Sequence, residues 1–158
     1  MLDRYVSDIE LLLIFRCILA AVFGFMVGIE RKGGKKGAGS RTFMLISMGS
    51  AAFTALAIHG FEPSSASARM AGQIITGVGF IGAGVIWKSE SKERLHGLTT
   101  AAAIWVASAM GITIGLGFYY LGVVLTMMMM VILAKGHPLE MAKENIAFQY
   151  KGDGELED

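Results

Sequence analysis

The sequence predicts an all-α polytopic membrane protein: five transmembrane helices bundled through Gly/Ala seams, with the N-terminus outside and the C-terminus cytoplasmic. Three observations carry this expectation. Apolar stretches near the roughly 20 residues needed to cross a bilayer recur along the chain. Small residues recur within them at helical spacing, and Lys and Arg collect on one side of the spans. With 54% of its 158 residues hydrophobic and 17% charged, the chain has few residues with which to build a wet surface.

Helix one is expected over about residues 9–29. Its Ala20, Gly24 and Gly28 follow i, i+4, i+8 spacing, a seam of the kind that lets helix backbones approach closely. Asp3, Asp8 and Glu10 give the start the wrong charge for a signal-peptide n-region, so no cleavable leader is expected. Cys17, the single cysteine, lies in this helix and forms no disulfide within the chain. Helix two, about 42–59, repeats the seam with Ser47, Ala51 and Ala55, flanked by Ser50 and Thr54. Gly60–Ala68 is a short outer loop in which Pro63 and the serines set a turn.

Helix three, about 70–87, falls in RMAGQIITGVGFIGAGVIW, which holds five glycines. Gly inside a helix costs roughly 1 kcal/mol relative to Ala, so this density implies a contact surface. Gly72, Thr76, Gly79 and Ala83 share one stripe, and Gly77, Gly82 and Gly84 are further packing candidates. The stripe meets either another helix or something passing beside it. Helix four, about 98–116, carries Ala103, Ala107, Gly111 and Gly115. Helix five, about 118–134, lacks a seam beyond Gly122 and is expected at the periphery, antiparallel to helix four. Helices one to four are expected to pack tightly through their small faces. Residues 1–135 form the membrane domain, and 136–158 a short, partly disordered cytoplasmic tail ending in KGDGELED.

Orientation follows from charge. Eleven of the Lys and Arg residues fall in the first loop, the third loop and the tail, against Arg4 and Arg69 on the other side and Arg16 within helix one. The positive-inside rule places the eleven in the cytoplasm. The basic first loop is a topology signal, and no nucleic-acid partner is expected.

Few residues stand out for chemistry. Arg16, two turns into a span, is either functionally paired or snorkels to the outer interface. With Arg69 and Gln73 it could line an outward-facing polar pocket, although Arg69 also suits an ordinary interfacial position. Glu30, Arg31, Arg41 and Thr42 cluster where helices one and two meet the cytoplasm, and a structural clamp is favoured there over an ion ligand. Thr99 and Thr100 are expected to cap helix four rather than face helix three. Trp105, mid-span, is expected to be buried against the glycines, and Trp87 to sit in the interfacial belt. Met127–Met130 point about 100° apart in succession and face lipid or fill gaps. His59, His96 and His137 are scattered, and no catalytic, cofactor or metal-ligand pattern is present. No Asp or Glu lies in the interior of a span, so Mg²⁺ has no carboxylate cage there. On charge alone an anion or a protein partner suits the interior better.

FRCILAAVFGFMVGIER, AGSRT, ARMAGQIITGVGFIGAGVIW and GLTTAAAIWVASAMGITIGLG, in that order, resemble the membrane domain of the MgtC/SapB family. The resemblance covers nearly all of Ile14–Gly117. It implies a multi-pass protein of the bacterial or archaeal cytoplasmic (inner) membrane, linked to magnesium homeostasis, growth under magnesium limitation and, in pathogens, virulence. It also implies regulation of membrane partners such as the F-type ATP synthase or a magnesium-transport ATPase. Many members carry a C-terminal ACT-like domain, and only about twenty residues follow helix five here, so functions of that domain are not expected of this chain. The leading expectation is a non-enzymatic regulator embedded in lipid, acting through helix contacts with itself, as a homo-oligomer with a dimer favoured, or with a membrane partner. The alternative is a small ion transporter or channel with its pathway along helix three.

Overall fold

The computed structural model describes residues 2–31, 38–60, 64–88 and 95–134. They form α1 (Leu2–Glu30), α2 (Ser40–His59), α3 (Ser64–Gly84), β1 (Trp87–Lys88), β2 (Leu95–His96), α4 (Leu98–Leu116) and α5 (Tyr119–Leu133). All five helices occur where apolar periodicity places them. Three are long and apolar enough to cross a membrane, Ser7–Glu30, Ser40–His59 and Leu98–Leu116, whereas Tyr119–Leu133 is a shorter apolar helix.

Three boundaries differ from expectation. α1 starts at Leu2 rather than near residue 9, because hydropathy marks the apolar part of a helix and not where its backbone begins. α3 starts at Ser64 rather than near residue 70, so most of the stretch expected as an outer loop is helical, since serine and alanine extend a helix that hydropathy does not mark. It ends at Gly84 rather than at residue 87. Beyond it Trp87 pairs with His96 and Lys88 with Leu95 in an antiparallel ribbon, and the rings of Trp87 and His96 stack at 4.7 Å. Gly97, at φ 89°, returns the chain into α4, in a backbone region that favours glycine. Hydropathy continues through Trp87 and so cannot register this reversal.

Packing centres on α2. A Cβ at Gly24 would overlap the Phe43 carbonyl, and one at Gly28 would overlap the Ser40 backbone, so α1 lies against α2 in antiparallel sense. From the other side, Gly111 abuts Ser47 and Ser50 and Gly115 abuts Ala51 and Thr54, so α4 runs parallel to α2. Small residues are therefore spent where two backbones nearly touch. Phe43, Ile104, Met110, Ile114 and Val27 fill the space around these contacts and are fully buried. α5 returns along α4, with Gly122 seated on Ile114.

α3 corrects the expectation that all four seams pack within the chain. Its buried face is Val78 and Gly82, with Gly82 in ordinary contact with Ala101 of α4. Gly72, Gly77, Gly79 and Gly84 have open space where a Cβ would stand, and Thr76 and Ala83 are exposed. Helical spacing puts the Gly72–Thr76–Gly79–Ala83 stripe on the side away from Val78 and Gly82. Trp105 is likewise 51% exposed rather than buried, because one step of about 100° past buried Ile104 carries it off the face that α2 and α5 cover. Among the methionines, Met129 is buried while Met127 and Met128 are exposed, as their angular spacing requires.

Candidate functional site

The α2–α4 contact is polar as well as close. Ser47 Oγ donates to the Ala107 carbonyl at 3.3 Å, the Ser50 and Ser108 hydroxyls share a bond of 2.8 Å, and Thr54 Oγ1 donates to the Ser50 carbonyl at 2.7 Å. On α5, Thr126 Oγ1 lies 2.7 Å from the Gly122 carbonyl and 2.9 Å from Met110 Sδ. These hydroxyls are buried and all have partners, which a low-dielectric interior requires. The seam is closed and presents no free polar group of its own.

An arginine stands at each end of this seam. Arg16, half-buried on α1, donates from Nη1 to the Gly115 carbonyl at 2.7 Å and from Nε to the Tyr119 hydroxyl at 3.2 Å. The rings of Phe15 and Tyr119 meet edge to face at 6.2 Å. Arg16 is thus committed to the α4–α5 corner. Arg69 and Gln73 are exposed on α3, and Gln73 lines a groove between α2 and α3. The structure therefore divides the pocket expected of Arg16, Arg69 and Gln73, since α1 and α3 pack on different sides of the α2–α4 pair. Tyr119, which the sequence reading missed, is the partner Arg16 finds; only its place at the start of helix five hinted at it.

Arg31 marks the opposite end. It immediately follows α1, is 6% exposed, and donates from Nη2 to Thr100 Oγ1 at 2.8 Å. Its Nε is buried without a hydrogen-bond partner. Burial pushes its pKa below the ordinary guanidinium value, though an arginine still remains charged. The clamp anticipated at this end ties α1 to α4 through Arg31. Arg41 is exposed, and Thr42 turns its N–H to the Gly39 carbonyl at 3.0 Å. Capping of α4 by Thr99 or Thr100 is corrected: the N-cap is Gly97, Thr99 is exposed, and Thr100 receives Arg31. A threonine three residues into a helix lies beyond the cap position, which left its hydroxyl free for this bond.

The outer face of α3 borders a groove of about 560 Å³, with Leu45, Gly49 and Phe53 of α2 on one wall and Gln73, Gly77 and Ile81 of α3 on the other. Thr76 on the neighbouring stripe spends its hydroxyl on the Gly72 carbonyl at 3.0 Å, so the stripe makes no polar demand on what covers it. Among the described residues no group of three His, Cys, Asp or Glu could hold a metal ion. His137 lies outside the described residues.

The MgtC family model matches residues 17–142, a range that takes in α2, α3, α4, α5 and about half of α1. YhiD of Escherichia coli (strain K12), provisionally named a magnesium transporter, is 44% identical over 137 residues, covering 80% of this chain and 61% of YhiD. SrpB of Synechococcus elongatus is 40% identical over 121 residues, covering 70% of this chain and 66% of SrpB. MgtC of Brucella abortus (strain 2308) is 35% identical over 129 residues, covering 81% of this chain and 53% of that protein. The chain thus spans between 53% and 66% of the length of these curated relatives. No solved structure matches it. Apolar helices, glycine seams and this agreement over most of the bundle lead to one assignment: the chain belongs to the MgtC family, as a helical membrane protein.

Proposed function

We propose that this chain is a non-enzymatic protein of the bacterial cytoplasmic membrane, crossing it five times with its N-terminus outside. On this reading it serves adaptation to low Mg²⁺ through helix contacts with a second copy of itself or with another membrane protein. The observation that carries the proposal is the bare stripe of α3. A Cβ at Gly72 or Gly79 on this stripe, or at Gly77 or Gly84 beside it, would meet nothing among the described residues, yet each glycine costs roughly 1 kcal/mol of helix propensity against Ala. Folding of one chain gives no reason for that cost; close approach of another helix does. The provisional name of YhiD supports the link to magnesium.

The test is Gly79→Leu in a strain lacking the protein, grown with limiting Mg²⁺. The side chain enters open space, so the bundle should still fold and insert. Growth and cross-linking in the membrane should both fall. Wild-type growth and cross-linking from this variant would overturn the reading. A second reading, a small transporter, is favoured by Gln73 and Gly77 in the α2–α3 groove and by the name given to YhiD. Flux of Mg²⁺ into liposomes carrying the purified chain would establish it, and sealed liposomes would leave the contact reading.

A further inference from the structure

Arg31 lies between the starts of two helices. Its backbone N–H bonds the Gly28 carbonyl at 3.2 Å, and Gly28 is pressed against Ser40, the first residue of α2. On its other side, Nη2 reaches Thr100, the third residue of α4. Since α2 and α4 run parallel, both direct their positive ends toward this junction, with the first-turn N–H groups that remain once Thr42 N–H is taken by the Gly39 carbonyl. Neither start supplies its own anion. The N-caps are Gly39 and Gly97, which have no side chain to accept a hydrogen bond, and neither first turn contains Asp or Glu.

The guanidinium follows the end of α1, which favours a cation, but reaches the start of α4, whose field disfavours it. At the other end of the same helix, Arg16 sits against the negative terminus, where a cation belongs. Arg31 also keeps its Nε buried and without an acceptor, a state that native interiors seldom tolerate. Exposed Arg41 and Lys88 at this end add positive field without neutralising it. The two helix starts and Arg31 converge here against the end of α1 and Glu30, and one buried donor, Arg31 Nε, has nothing to donate to.

We propose that the junction of α1, α2 and α4 binds a phosphate group, held by the Arg31 guanidinium and the first-turn N–H groups of α2 and α4. Phosphate suits this set because its oxygens can accept from a planar fork and from helix N–H groups together. Free inorganic phosphate and the phosphate of a lipid headgroup present the same chemistry. The inference does not depend on the contacts of α3.

The test uses the full chain in a maltoside detergent, which carries no phosphate, with thermal unfolding followed as inorganic phosphate replaces chloride at constant ionic strength. A saturable rise in Tm is expected. Arg31→Gln should weaken the apparent affinity about tenfold or more. Because that variant also loses the bond to Thr100, Thr99→Asp provides a second measure. This exposed position in the first turn of α4 can supply the missing charge from within. The variant should unfold no earlier than the wild type in chloride and lose its phosphate response. A parallel arm adds phosphatidic acid to the micelles. Stabilisation by the lipid alone identifies a headgroup as the occupant, and stabilisation by both identifies a site open to either. No saturable response in either arm, or a response that survives both substitutions, overturns the proposal.

Discussion

Arg16 donates from Nη1 to the carbonyl oxygen of Gly115 at 2.7 Å, across the end of α4. That end closes by two backbone bonds, Phe118 N–H to Thr113 and Gly117 N–H to Ile114, with Gly117 at φ 90°. This pattern satisfies two of the last carbonyls of a helix and leaves those of the final residues open. Arg16 takes one of them and places its charge at the negative pole of α4. The mid-span arginine is therefore a helix C-terminal ligand supplied by a neighbouring helix.

Removing it should loosen the α1–α4–α5 corner. A hydrogen bond from a charged donor contributes about 1.5–3 kcal/mol, so Arg16→Met is expected to lower stability by about 2 kcal/mol. Tyr119→Phe should cost about 1 kcal/mol, since Arg16 keeps the Gly115 carbonyl. The double variant should lose less than the sum of the two. Unfolding titrations in mixed micelles measure all three.

The two classes of glycine should separate by sign. Gly111→Ala drives a methyl into the Ser47 carbonyl and Ser50, where α2 and α4 have no slack. Overpacking of this kind costs about 1–3 kcal/mol or more. Gly79→Ala meets nothing within the chain and gains up to about 1 kcal/mol of helix propensity. The same unfolding titration on monomeric protein in detergent should therefore show loss for one and no loss for the other. A loss at Gly79 under those conditions would mean that the stripe is covered within a single chain.

These contrasts mark how far the sequence could be read. Spacing showed that Gly24 and Gly28, or Gly111 and Gly115, share a face, and both pairs do meet a neighbour. Spacing in α3 was equally regular, yet its stripe faces away from the bundle. Periodicity reports which residues lie together on a helix and is silent on which side of that helix a neighbour occupies. For the same reason spacing places Arg31 at the end of the bundle but does not foretell its bond to Thr100. Its bond to Thr100 joins residues 69 apart in the chain, and no local pattern encodes it. Trp105 fails similarly: hydropathy placed it mid-span, and only the packing of α2 and α5 decides that its ring lies outside.

The Ser50–Ser108 bond offers a cleaner measure of what the polar seam contributes. Both hydroxyls are buried, and each is the other's partner across α2 and α4 at 2.8 Å. Ser108→Ala removes that partner and should cost about 1 kcal/mol. Changing both serines to alanine removes donor and acceptor together, so the pair should cost less than the two single changes summed. A double-mutant cycle reads the coupling directly. Strict additivity would show that the hydroxyls do not depend on one another.

The α3–α4 turn depends on one backbone angle. Gly97 holds φ 89°, and a Cβ there would overlap the Val85 carbonyl, so Gly97→Ala suffers both left-handed strain and a clash. The strain alone costs about 1–2 kcal/mol, and the clash adds to it. The two-pair ribbon has little else to hold it, so the register of Trp87 with His96 should be lost first. In a Trp105→Phe background, Trp87 is the remaining tryptophan, and its emission should change as the stacked imidazole moves away. Gly84→Ala, which meets open space on the other side of the turn, should leave that emission unaltered. Equal spectra for the two variants would mean that the ribbon tolerates a side chain at Gly97 and that φ there does not govern the turn.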